Sequence, residues 1–214
     1  IFNIKRYLVF NKSLKLLPLS KEKVISDNFE SLQRYIDDNK FDIIICGSDE
    51  IWKVNSFRGF PNIYWLPNIK NCRKIGYAIS SRSSIDLVDK LNIRKEILKY
   101  ASDYEYIGVR DTYTYDMLKN IDSNLPLDLN CDPTFLYDFK YDIENGKNIL
   151  INKYKIVPSK KTIAFMISNQ NDIKNIIESL GKDKYNYISL YSYSKFTLNY
   201  PNLNPFEWID VISS

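Results

Sequence analysis

No histidine occurs anywhere in the 214 residues, so neither a Ser-His-Asp triad nor a histidine-based metal centre can be assembled from this sequence. The three cysteines, Cys46, Cys72 and Cys131, are far apart and include no C-x-x-C pair. That pattern suits neither a disulfide framework nor a zinc site, and reads as buried, reduced thiols in a cytoplasmic protein. No apolar run approaches the roughly 20 residues that span a bilayer, and no secretory-type signal opens the sequence. A clustered basic stripe is also missing: the net charge of +4 comes from Lys and Arg scattered among Asp and Glu, which argues against a nucleic-acid binder. Glycine is scarce, at six residues, so one that sits at a strand end signals positive φ or a close backbone approach.

What is present is a globular composition, 44% hydrophobic and 26% charged, in a chain long enough for one large domain or two small ones. Residues 22–39 place Val24, Ile25, Phe29, Leu32, Tyr35 and Ile36 on one stripe and predict an amphipathic helix. The β-branched run at 41–46 predicts a strand covered on both faces. Residues 53–72, with Gly59, Pro61 and Pro67, predict a long loop. Strands are predicted at 73–80 and 104–110, helices at 84–101 and 111–120, and a short strand from 127 that stops at Pro133. This alternation implies α/β architecture with Rossmann-like parallel sheets and helices on both faces. Residues 1–137 are expected to form a first domain lacking its first strand, and 138–160 a passage with a helix at 143–154. From 161 onwards a second alternating unit starts: strand, helix 172–180, strand, and a final helix from Asn204. Both ends read as cut, so the second domain is expected to be incomplete.

Ligands of open α/β sheets sit beyond the carboxyl ends of the strands. Polar residues stand at four such ends: Gly47-Ser48-Asp49, Ser80-Ser81, Arg110-Asp111 and Asp132-Pro133. Ordinary turns and helix caps use the same residue types, so geometry alone leaves both readings open.

Five segments resemble the polysaccharide pyruvyl transferase family. "IIICGSDEIW" is similar to its Gly-Ser-Asp-x-x-Trp segment, "KIGYAIS" to a strand ending in Tyr-Ala-x-Ser, and "IGVRD" to Val-Arg-Glu. "CDPTFLYD" resembles Asp-Pro-Thr-x-Leu, and "NPFEWIDVISS" resembles the stretch leading to Ser-Phe-His-Gly. The departures are Glu50 for Gln, Ser81 for Gly and Asp111 for Glu. The resemblance implies two Rossmann-like domains facing across a cleft, similar to the glycosyltransferase B architecture. It also implies transfer of pyruvate from phosphoenolpyruvate to a sugar diol as a cyclic ketal, in exopolysaccharide or cell-wall glycan synthesis of bacterial type. No cofactor is implied beyond that donor, and the partners are the donor and a saccharide acceptor.

On that reading Arg110 is the anion clamp, since a guanidinium matches carboxylate and phosphate; a structural pairing with Asp103 or Asp111 is its alternative. Gly47 and Ser48 offer backbone N–H groups. Asp49 caps the turn or orients a sugar hydroxyl, and Ser80 is a further substrate-binding candidate. Asp132 and Trp52 complete the set, Asp132 as a turn-former or catalytic group and Trp52 as sugar platform or packing residue. Tyr77 reads as core. The family's histidine is expected beyond Ser214, so these residues alone are expected to be inactive. A nucleotide-sugar glycosyltransferase of similar architecture and a non-catalytic glycan- or protein-binding relic are the alternatives.

Overall fold

The computed structural model describes residues 2–22, 24, 28–136, 138 and 140–214. Ile25 of the amphipathic stripe, and residues 137 and 139 beside the expected domain boundary, lie outside the described residues. In chain order the elements are α1 (Phe2–Ser13), α2 (Phe29–Asn39), β1 (Ile43–Cys46), β2 (Arg73–Ile79), α3 (Ile85–Leu91), α4 (Arg94–Ala101), β3 (Tyr106–Val109) and α5 (Thr112–Ile121). They continue with β4 (Leu127–Leu129), α6 (Ile143–Ile149), β5 (Thr162–Phe165), α7 (Gln170–Leu180), β6 (Asn186–Ser189), β7 (Leu198–Asn199) and α8 (Pro205–Ser213). Among the described residues the strands form two sheets, ordered β1-β2-β3-β4 and β5-β6-β7, and every strand pair is parallel. The fold is α/β and Rossmann-like.

Two compact units divide the chain: Glu22–Asp138, and Ile1–Lys21 together with Phe139–Ser214. The opening 21 residues thus go with the second sheet, not with the first domain where the expected span 1–137 had put them. The reason is local chemistry. The Arg6 guanidinium lies 4.8 Å from the ring centroid of Trp208 and 5.1 Å from that of Tyr191, and Phe10 meets Trp208 edge-on. Cation–π and aromatic contacts of this kind tie α1 to its unit.

In the unit Glu22–Asp138, the inward side chains of the sheet are Cys46, Ile107, Val109 and Leu127, packed with Val88, Ile97, Met117 and Leu118 of α3, α4 and α5. The expectation that β1 is covered on both faces is corrected: Ile43 and Ile45 are exposed, while Cys46 is buried. Residues 53–72 form a connection without strand or α-helix, as their Gly, Pro and Asn content predicts, yet together with the turn before them they supply core. Trp52, Val54, Trp65, Leu66 and Ile69 are all buried. Trp52 stacks on Trp65 with centroids 4.2 Å apart and planes within 12°. The Tyr64 carbonyl accepts from Cys46 Sγ, Trp52 Nε1 and the Tyr104 hydroxyl at 3.0–3.1 Å. A buried loop needs such internal partners for its polar backbone.

In the other unit β6 is buried on both sides and alternates between two clusters. Tyr187 packs with Phe165, Ile173 and Ile177 of β5 and α7, and Ile188 with Ile149, Leu150 and Val211 of the α6–α8 side. Gly146 lets α6 and α8 approach, since a Cβ there would stand 2.2 Å from the Asp210 carbonyl oxygen. Helix α8 begins with a capping box, Asn204 and Glu207, and Pro205 in its first turn, the start signal that "NPFE" encodes.

Helices α2, α3, α5, α6 and α7 open at Asn28, Ser84, Asp111, Asp142 and Asn169, whose side chains accept first-turn N–H groups. The predicted helix 84–101 is two helices, because Asn92 adopts φ 55° and its N–H turns back to Val88 and Asp89. The predicted helix 143–154 is α-helical to Ile149 and continues as a π-turn over Leu150–Tyr154.

Candidate functional site

At the carboxyl ends of β1, β2 and β3 the backbone is cross-tied beyond the regular ladder. Ser80 N–H donates to the Ser48 carbonyl at 3.0 Å, Trp52 N–H to the Ser80 carbonyl at 3.4 Å, and Arg110 N–H to the Ile79 carbonyl at 3.2 Å. Gly47 makes the first crossing possible: a Cβ there would lie 2.3 Å from the Tyr77 carbonyl oxygen. It is the close-approach use of glycine, without positive φ. Three non-glycine residues around these turns are left-handed, Glu50 (φ 49°), Ala78 (φ 52°) and Arg82 (φ 44°); Ala78 falls where the β2–β3 register shifts.

The segment after β2 is fixed to α5 by a buried polar knot. Ser81 N–H donates to Thr114 Oγ1 at 2.9 Å, Ser83 Oγ donates to the Ser81 carbonyl at 3.1 Å, and Val54 N–H donates to Ser83 Oγ at 3.2 Å. These ties leave a cavity of about 690 Å³ lined by Asp49, Glu50, Ser80, Arg82, Arg110, Asp111 and Tyr113.

Arg110 is the lining residue with the most charged partners. Nη1 donates to Asp132 Oδ2 at 2.5 Å and to Ser48 Oγ at 3.5 Å, and Nη2 donates to Asp49 Oδ1. The Arg110 side chain is 20% exposed, while that of Asp49 is 78% exposed. Neither of the alternative partners holds it: Asp103 pairs with the buried Lys74, and Asp111 caps α5 by accepting from Thr114 N–H at 2.7 Å. Asp132 is itself oriented, its Oδ1 accepting from the Thr134 N–H and hydroxyl. Those two bonds, followed by Arg110, hold its carboxyl below the usual range.

A second charged cluster accompanies this one. Glu50 accepts from Arg82 at 2.8 Å and from Lys53 at 2.9 Å, and those bonds, Arg82 first, bring its pKa down to about 2. Sequence reasoning did not find Arg82 or Tyr113. The available signal was weak: Arg82 stands two residues past the Ser80 strand end, and Tyr113 lies in the first turn of α5.

Of the sequence-chosen residues, the structure brings Ser48, Asp49, Ser80, Arg110 and Asp132 together, with Gly47 as the hinge of the first turn. Trp52 is withdrawn from the set, because its side chain is fully buried against Trp65 and Tyr104. Tyr77 is half-buried rather than core, and its pKa is raised, first by burial and then by the neighbouring Cys131. The thiols also differ from expectation: Cys46 is buried, with its pKa pushed up to about 12 by burial, but Cys72 is half-buried and Cys131 exposed.

Among the described residues no helix is long and apolar enough to cross a membrane. The family model for polysaccharide pyruvyl transferase matches residues 3–214. No curated protein and no solved structure matches the chain.

Proposed function

Since the chain belongs to the polysaccharide pyruvyl transferase family, we propose that the strand-end cavity is the donor and acceptor site of a pyruvyl transfer to a saccharide. The donor in this reading is phosphoenolpyruvate and the product a cyclic ketal, formed in exopolysaccharide or cell-wall glycan synthesis. Two sugar hydroxyls add at the enol carbon; one proton goes to the methylene, which becomes methyl, and the other leaves with phosphate. Such a reaction needs a cation for the donor's carboxylate and phosphate, and acceptors that orient the attacking hydroxyls.

Arg110, held between the turns after β1 and β4 by Asp49 and Asp132, is the observation that carries the proposal. It takes the donor's anionic groups, Ser48 and Ser80 supply hydrogen bonds, and the exposed Asp49 orients a sugar hydroxyl. The domain arrangement belongs to the same reading, as a glycosyltransferase B-like pair of Rossmann-like domains. The test is phosphate release from phosphoenolpyruvate by the complete protein with a saccharide acceptor. Loss of the Arg110 clamp, in Arg110→Ala, is expected to lower kcat/KM by about 100-fold or more. Full activity in that variant would reject the clamp.

A further inference from the structure

The even mixing of charges along the chain fails in its first 21 residues. They contain Lys5, Arg6, Lys12, Lys15 and Lys21 and no Asp or Glu. The same segment carries large apolar side chains that the fold leaves outside: Ile4, Tyr7, Leu8, Leu16, Leu17 and Leu19 are each 53–68% exposed. One side of α1 is spoken for, since Arg6 and Phe10 contact Tyr191 and Trp208. At 100° per residue Ile4 and Leu8 fall on the opposite arc with Lys5 and Lys12 beside them, and the exposed Tyr7 lies between that arc and Phe10. The chain then continues outward through the short 3₁₀ turn Leu14–Leu16 to Leu19.

We propose that residues 4–19 form a peripheral docking surface for an anionic lipid bilayer, with the leucines and Tyr7 entering the acyl boundary and the lysines lying at the headgroups. Charge complementarity selects this occupant. A second copy of the chain would bring one acid-free basic patch against another, a repulsive arrangement for a two-fold interface. A polyanion without an apolar body would leave the exposed leucines in water. Exposed apolar side chains interleaved with lysines, in a segment too short to span, are what an interfacial segment uses. The inference is independent of the reading of the strand-end site.

The experiment is co-sedimentation of the whole chain with vesicles of phosphatidylglycerol mixed into phosphatidylcholine, against pure phosphatidylcholine, at low and high salt. Retention on the anionic vesicles is expected, weakened by about tenfold or more on pure phosphatidylcholine and at 0.5 M salt. Lys12→Ser/Lys15→Ser should weaken binding by about 30-fold, from roughly 1 kcal/mol per lysine. Leu16→Glu/Leu17→Glu should reduce it to the background of phosphatidylcholine alone. Both pairs are exposed, so an unchanged circular dichroism melt is expected and separates lost binding from lost fold. Wild-type protein left in the supernatant with anionic vesicles would overturn the proposal, as would Leu16→Glu/Leu17→Glu protein that binds like wild type. A wild-type dimer that Leu16→Glu/Leu17→Glu disperses, without vesicle retention, would overturn it in favour of self-association.

Discussion

Replacing Asp49 by Asn tests the charge balance at Arg110 most directly. In the structure the guanidinium is already engaged by two carboxylates, Asp49 and Asp132, so an incoming anion must compete with them. Asp49 is the displaceable partner, being 78% exposed against 28% for Asp132. An anion and the Asp49 carboxylate sharing one guanidinium would sit roughly 6 Å apart. Their repulsion is about 0.7 kcal/mol in bulk water and about 3 kcal/mol at an effective dielectric of 20. The exposure of Asp49 favours the lower half of that range, about 1–1.5 kcal/mol, or roughly a tenfold gain in anion affinity for Asp49→Asn. Stability should change by less than about 1 kcal/mol, the worth of an exposed ion pair. Calorimetric titration of phosphoenolpyruvate into wild type, Asp49→Asn and Arg110→Ala measures the ordering, with thermal unfolding as the control for fold. Asp49→Asn should bind tightest and Arg110→Ala should not bind, and the gain should shrink as salt is raised. Equal or weaker binding by Asp49→Asn would refute the competition, and wild-type binding by Arg110→Ala would refute the clamp.

Trp52→Ala removes a fully buried ring from the Trp65 stack and should cost about 3–5 kcal/mol in urea unfolding; a smaller loss than about 1 kcal/mol would mean that the loop core is dispensable. Gly47→Ala forces a Cβ against the Tyr77 carbonyl, so about 1–3 kcal/mol of stability should go, together with phosphoenolpyruvate affinity; retention of both would show that the strand ends separate freely. Glu50 has its pKa lowered from 4.5 to about 2, so its ion pairs add stability above pH 4.5 that disappears as the pH falls toward 2. Urea midpoints of wild type should therefore decline across that window more steeply than those of Glu50→Gln, and parallel curves would contradict the assignment.

Elements whose signal is local were legible in the sequence. The β-branched runs ending in Gly, Ser or Asp gave the strands, and Asp111 and Asn204 marked helix starts where the caps are found. Elements decided by distant contacts were not. Helix α1 escaped notice because its apolar residues wrap around it rather than forming one stripe, and it is placed by Tyr191 and Trp208, far along the chain. Loop 53–72 was readable as a loop but not as core, since that depends on Tyr64 O meeting three donors from three separate segments. Asn92 interrupts a helix whose apolar spacing runs straight through it. The strand-end rule located Ser48, Asp49, Ser80, Arg110 and Asp132 because it depends only on where strands stop. It missed Arg82 because the direction of that side chain is set by a left-handed turn that no residue type there announces.

Those left-handed turns link packing to the site. Glu50, Ala78 and Arg82 each occupy backbone that costs a non-glycine residue about 1–3 kcal/mol; Glu50 and Arg82 lie in the segments that follow β1 and β2, and Ala78 near the end of β2. Such conformations persist only where surrounding contacts over-determine them. Here the contacts are the Ser48–Ser80 and Trp52–Ser80 backbone bonds, the Ser81–Thr114 knot and the burial of Trp52. Trp52 is therefore tied to the candidate site from inside the core rather than from the cavity wall: its N–H fixes the Ser80 carbonyl while its indole locks onto Trp65 and the Tyr64 carbonyl. The turn Gly47-Ser48-Asp49-Glu50 is consequently stiff at both ends, which keeps Asp49 and Ser48 within reach of Arg110 while Asp49 remains exposed enough to be displaced.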